Sequence, residues 1–156
     1  MPHNNASLTE DQFKFHCNVE VRFRDLDAMG HVNNAIYFTY FEMGRTAYMK
    51  AVGYKPPENA AVNQSFPFIL AEISCRFISA ASLEETLSVY VRTLRTGRKS
   101  FDFEYLITEA DSGRHIANGR SVQVYYDYEP GRSVELPKDF RCLLEQFDGL
   151  SKKEEE

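Results

Sequence analysis

Two carboxylates, a glycine, a histidine and two asparagines fall within ten residues, Asp25-Leu26-Asp27-Ala28-Met29-Gly30-His31-Val32-Asn33-Asn34. Asn33 or Asn34 suits a helix N-cap, which sets the start of a helix within a few residues of Asp27. Free backbone N–H groups at such a start, together with the positive end of the helix dipole, favour a negatively charged oxygen. Gly30 lets the backbone take conformations closed to other residues and come close to a ligand. A carboxylate beside an oxyanion site is the minimum equipment for acyl transfer. Thioesters suit it better than amides, because a thiol with a pKa like that of Cys, about 8.5, departs as thiolate with little help from an acid. Asp27 would attack the carbonyl itself or deprotonate a water that does. Asp25 reads as a turn or cap former. His31 reads equally as a structural histidine or as a hydrogen-bond donor to substrate.

The elements around this motif follow from periodicity. From Phe13 to Arg24 apolar and polar residues alternate strictly, which predicts a strand with one buried face. Ala35 to Val52 has few β-branched residues and no proline, with Gly53 where a left-handed cap belongs, and reads as a helix. Its apolar residues cover more than the stripe that a surface helix hides, so the helix should be enclosed by other structure. After a proline-bracketed loop, alternating runs over Ile69 to Phe77, Leu87 to Val91, Phe101 to Ile107 and Val122 to Tyr126 read as strands, and Leu136 to Phe147 as a short terminal helix. An antiparallel sheet with one apolar face and a single long helix predicts an α+β fold with the sheet wrapped about the helix.

The chain has 156 residues, enough for one domain with a real core, expected over residues 13–147. Residues 1–12 read as a disordered arm and 148–156 as an acidic tail. A net charge of −5 argues against binding nucleic acid or anionic lipid as a whole. The sequence has no run of apolar residues of membrane-spanning length and no signal peptide, and its three scattered cysteines form no metal-ligand pattern, so the expected location is cytoplasmic.

The stretch FRDLDAMGHVNNAIYFTYFEMGR, from Phe23 to Arg45, resembles the signature of the hot-dog-fold acyl-CoA thioesterases of the 4-hydroxybenzoyl-CoA thioesterase family. It carries the D-x-D-x-x-G pattern followed by a long helix, and weaker similarity runs from Phe15 to Tyr128. The resemblance implies a sheet wrapped around the helix, a homodimer or a homotetramer made of paired dimers, and active sites at the dimer interface. It implies that Asp27 is the catalytic acid and that the N–H polarising the thioester carbonyl lies between Gly30 and Asn34, with His31 and Asn33 beside it. It also implies that CoA enters as part of the substrate, with no separate cofactor or metal. Arg95, Arg98 and Lys99, in the segment Leu94 to Phe101 that lies near CoA in that family, would hold its phosphates from a partner subunit. Tyr37, Tyr40, Phe41 and Phe68 are candidates for the acyl pocket or for plain core. Glu42 stands where another branch of the fold carries a helix carboxylate, and also where an i,i+3 pair with Arg45 would form. The segment Ser79 to Thr86 departs from the family pattern, which has a proline and then Gly-Asp there, and leaves the pocket wall open. Two other readings remain: a hot-dog hydratase or dehydratase, and an acyl-CoA-binding sensor without turnover.

Overall fold

The computed structural model describes residues 7–62 and 65–150. Strand β1 (His16–Glu20) leads to helix α1 (Ile36–Ala51), followed by β2 (Phe68–Phe77), β3 (Thr86–Thr96), β4 (Ser100–Glu109), β5 (His115–Asp127), a short β6 (Arg132–Ser133) and helix α2 (Lys138–Asp148). The sheet is antiparallel in the order β1-β3-β4-β5-β2, with β6 paired to β5.

Helix α1 crosses the concave face of this sheet, which is the wrapped α+β arrangement expected. Gly44 sets the closeness of the crossing: a Cβ there would stand 2.7 Å from Val89 Cγ1 and 3.0 Å from Val91 Cγ2. Tyr48, Phe41 and Met49 on the helix pack with Val89, Val91, Phe103 and Tyr105 of the sheet, all fully buried. Helix α2 closes one end, where Phe140 meets Tyr54, Phe101 and Tyr125.

Several elements differ from expectation. Strand β1 stops at Glu20, and Phe23–Asp25 forms a 3-10 turn instead of continuing the alternation. The cause is local: the Asp25 carboxylate accepts the Arg22 N–H (3.0 Å), which folds the chain back before Phe23 and leaves that ring 81% exposed. The expected arm already carries a 3-10 turn at Glu10–Gln12, and Phe13 lies buried against Tyr90 with the Arg92 guanidinium over its ring. Residues 1–6 lie outside the described residues. At the other end Asp148 still belongs to α2, where it accepts from the Thr93 N–H (2.8 Å) and the Tyr48 hydroxyl, and residues 151–156 lie outside the described residues.

Helix α1 is not enclosed all round. Its flank toward β2 leaves Phe38 and Glu42 exposed, and Met43 is open on the outer side. Strand β2 forms a free edge whose Ile69, Leu70 and Phe77 are also exposed.

Candidate functional site

The 3-10 turn sends the two aspartates in opposite directions. Asp25 is fully buried and accepts from the Arg22 guanidinium (2.8 Å) and the Tyr40 hydroxyl (2.8 Å), while its backbone carbonyl takes the Asn33 N–H (2.8 Å). Burial by itself would raise its carboxyl pKa, but the hydrogen bonds from the Arg22 side chain and backbone and from Tyr40 hold it below the ordinary 3.8. Burial, together with the same contact, pushes the Tyr40 phenol well up. Tyr40 is therefore a brace between α1 and the motif, and its ring is fully buried.

Asp27 is exposed and caps its own turn. Its Oδ1 accepts the N–H groups of Met29 (2.8 Å) and His31 (3.3 Å), whereas Oδ2 has no partner among the described residues. The turn closes through Asp27 N–H to His31 O (2.8 Å) and Gly30 N–H to Asp27 O (3.1 Å). Gly30 has φ +77°, a left-handed conformation costly for any side chain, which is why glycine stands there.

The helix start is equally defined. Asn33, one of the two asparagines expected as N-cap, accepts the Ala35 N–H on its side chain (3.0 Å) and the Ile36 N–H on its carbonyl (2.9 Å), two residues ahead of the formal cap at Ala35. Val32 N–H is taken by Ala81 O (2.9 Å) and Asn33 N–H by Asp25 O. Between Met29 and Ile36 only the Asn34 N–H has no acceptor in the described chain. No side chain outside the backbone pattern marks this, so the sequence alone narrows the donor only to the Gly30–Asn34 range.

Asp27 and Asn34 border one cleft of about 510 Å³, together with His31, Val32, Asn33, Tyr37, Phe77, Ile78, Ser79 and Ala80. The segment that departs from the family pattern thus forms a wall: Ser79 and Ala80 line the cleft and Ser82 bridges to the His31 backbone. Phe77 and Ile78 were not foreseen as lining residues. Their exposure comes from the edge position of β2, which the alternation pattern does not encode.

Other sequence candidates lie elsewhere. Phe41 is fully buried, stacked on Tyr105 at 4.5 Å. Phe68 is half-buried at the far end of β2, in the cluster of Phe66 and Phe101. Arg95, Arg98 and Lys99 sit at the β3–β4 hairpin, the opposite end of β3 from the cleft, about 30 Å away at ~3.3 Å per residue. Arg95 pairs with Asp102 (3.1 Å) and Arg98 with Glu135 (2.7 Å), so two of the three cations already have carboxylate neighbours. Glu42 and Arg45 form no ion pair, and no group of His, Cys, Asp and Glu suited to a metal occurs among the described residues. No described helix is long and apolar enough to cross a membrane.

This geometry has relatives. The chain is 31% identical over 122 residues to the uncharacterised Bacillus subtilis protein YsmA, covering 78% of this chain and 79% of that one. It is 26% identical to the chloroplastic acyl-acyl carrier protein thioesterase ATL3 of Arabidopsis thaliana, over 86% of this chain and 70% of that one. A Thermus thermophilus thioesterase solved in complex with coenzyme A and zinc is 30% identical and superposes with a TM-score of 0.77, over 90% of this chain and 99% of that one. The family model described as the thioesterase-like superfamily matches residues 21–144, and with the helix-wrapping sheet already described, the chain belongs to that superfamily and has the hot-dog fold.

Proposed function

We propose that this chain hydrolyses acyl-CoA thioesters to a free acid and CoA, in the manner of the 4-hydroxybenzoyl-CoA thioesterase branch, with Asp27 as the catalytic carboxylate. One observation carries the reading: a carboxylate oxygen and a backbone N–H that have no partner among the described residues border the same cleft of a thioesterase-like fold. In the general-base course Asp27 takes a proton from a water whose oxygen adds to the thioester carbon. The carbonyl oxygen gains negative charge and accepts from the Asn34 N–H. The adduct then collapses, the C–S bond breaks, and CoA leaves as thiolate while the proton on Asp27 passes to the thiolate or to solvent. In the nucleophilic course Asp27 adds to the carbon, CoA thiolate leaves, and water cleaves the mixed anhydride. His31, on the same cleft wall, can donate to the bound thioester, and Tyr37 with Phe77 offers an apolar wall to the acyl group.

A second copy of the chain completes the site in this reading. Pairing two β2 edges antiparallel about a two-fold axis brings the Phe68 end of one against the Phe77 end of the other. Phe68 is the cross-strand neighbour of Tyr125, whose N–H donates to Lys99 O (2.8 Å). The basic hairpin of the partner subunit therefore approaches the cleft, where Arg98 and Lys99 meet CoA phosphates. The exposed pair of Arg98 with Glu135 is weak enough to open for them. The dimer, alone or paired again into a tetramer, is then the active unit. The coenzyme A bound by the Thermus relative supports CoA as carrier.

The test is thiol release from short, medium, long-chain and aromatic acyl-CoAs by wild type and Asp27→Asn. The expected result is turnover by wild type, loss of about 10²–10⁴-fold in the variant, and retained binding by both. Binding without thiol release by either protein would sink the hydrolase reading in favour of a sensor. An acyl-carrier-protein thioester in the same panel distinguishes the carrier, and single turnover in heavy-oxygen water separates the two courses, since only the anhydride route labels Asp27.

A further inference from the structure

The wall of the Asp27 cleft is a segment with little apolar anchorage. Of residues 79–84 only Ala81 is buried, and the run Ser79-Ala80-Ala81-Ser82 brings no large apolar side chain to hold it in place. Segments with few buried apolar contacts belong to the least stable parts of a fold, so hydrogen bonds decide where this one sits. Three of those bonds come from one side chain. Arg114, immediately before β5, donates to the Ala80 carbonyl (3.0 Å), the Ser79 hydroxyl (3.3 Å) and the Glu85 carboxylate (2.7 Å). The Ser79 hydroxyl donates in turn to the His115 carbonyl (2.6 Å), and the other Glu85 oxygen accepts the Ser82 N–H (2.9 Å).

The same segment holds the Asp27 turn on its other side. Ala81, one residue beyond the carbonyl that Arg114 takes, accepts the Val32 N–H (2.9 Å), and Ser82 forms a bridge with His31. The carbonyl of that His31–Val32 peptide points the opposite way and takes the Asp27 N–H (2.8 Å), where Leu26 bridges to Val32. His31 and Val32 are thus the middle rung of a short three-stranded patch, with the wall as one outer rung. Two residues on comes Asn34, whose N–H has no acceptor among the described residues and which borders the cleft with Asp27 and His31. A shift of the wall is therefore passed through one peptide to His31 and to the Asn34 N–H.

We propose that Arg114 is a positioning residue for thioester hydrolysis: from outside the cleft lining it fixes the Ser79–Glu85 wall, and the wall fixes the His31–Asn34 backbone against the bound thioester. This rests on the thioesterase reading of the Asp27 cleft. The half-exposed ion pair with Glu85 would by itself count for little. The effect comes from the rigid guanidinium fork, which ties three points of one segment together where a lysine ammonium cannot span them. A displacement of about 1 Å at a reacting centre costs about 10²-fold in rate, so a wall left to drift shows in kcat.

The experiment measures kcat, KM and thermal unfolding for wild type, Arg114→Ala, Arg114→Lys and Glu85→Gln on the best acyl-CoA of the panel, together with amide hydrogen exchange at Val32. Arg114→Ala should lose about 10–10²-fold in kcat per folded molecule with KM within about threefold of wild type, and added guanidinium ion should restore part of that loss. Its Val32 amide should exchange at least about tenfold faster, while the amides of Val89 and Val91 in the core keep their wild-type rates. Arg114→Lys and Glu85→Gln should fall between wild type and the alanine variant. An unchanged Val32 amide, an unchanged kcat, or a loss of activity that follows the unfolded fraction alone overturns the proposal. If Arg114→Ala does not fold, Arg114→Lys and Glu85→Gln decide by the same measurements. If wild type hydrolyses no acyl-CoA, the thioesterase reading fails separately, and the Val32 amide alone decides: faster exchange in Arg114→Ala supports the role of Arg114 in holding the wall, and unchanged exchange overturns it.

Discussion

Asp25 and Asp27 stand two residues apart on one turn, and they differ in almost every physical respect. Asp25 has no exposed surface and spends its oxygens on Arg22 and Tyr40, whereas Asp27 is open, with one oxygen tied to its own turn and the other unpartnered. A carboxylate with every lone pair engaged holds a structure together and is poorly suited to take a proton. One that is oriented but unsaturated suits the reverse role. The pair therefore divides fastening from chemistry within a single tripeptide, and the division follows from which way the 3-10 turn points each side chain.

Substitutions at the two positions should break this division cleanly. The largest effect belongs to Asp27→Asn: thiol release should fall by about 10²–10⁴-fold, while the unfolding temperature stays within about 2 °C of wild type, as expected for an exposed residue. Next comes Asp25→Ala, which strands the Tyr40 hydroxyl and should lower stability by about 3 kcal/mol in denaturant titration, with activity lost only in proportion to unfolding. Tyr40→Phe sharpens the comparison by removing one hydrogen bond while Arg22 still holds the carboxylate, at a cost of about 1.5 kcal/mol by the same titration.

The smallest effect is one of pH. The Asp25 carboxyl is held below its unfolded 3.8, so its contribution is present above that pH and is lost as pH falls from 3.8 through the lower folded value. Thermal unfolding of wild type and Asp25→Asn should therefore differ at neutral pH and converge in strong acid. A constant gap over that range would mean that the charge of Asp25 does not contribute.

The large elements and the position of Asp27 were legible in the sequence because both rest on local signals. Period two marked the strands, and the spacing of Asp27, Gly30 and the asparagines marked the turn into α1. What escaped depends on side-chain partners that periodicity does not encode. Tyr40 and Phe41 are consecutive aromatic residues of one helix, and only the fold reveals that Tyr40 braces Asp25 while Phe41 fills the core against Tyr105. The strand signal over Phe13 to Arg24 overran because alternation cannot register that Asp25 will capture the Arg22 N–H. Likewise Asp102, across the hairpin on β4, and Glu135, far along the chain, take up two cations that looked free in the Arg95–Lys99 segment.

The free edge of β2 carries a further consequence for the life of the newly made chain. Ten residues of strand present unmatched N–H and C=O groups beside exposed Ile69, Leu70 and Phe77, with neither proline nor bulge at its Phe77 end to discourage strangers. Until that edge is covered, any extended segment of another polypeptide is a competing template. If the proposed pairing of β2 edges is what covers it, mutations that merely slow that pairing would surface as precipitation long before they surfaced as lost stability.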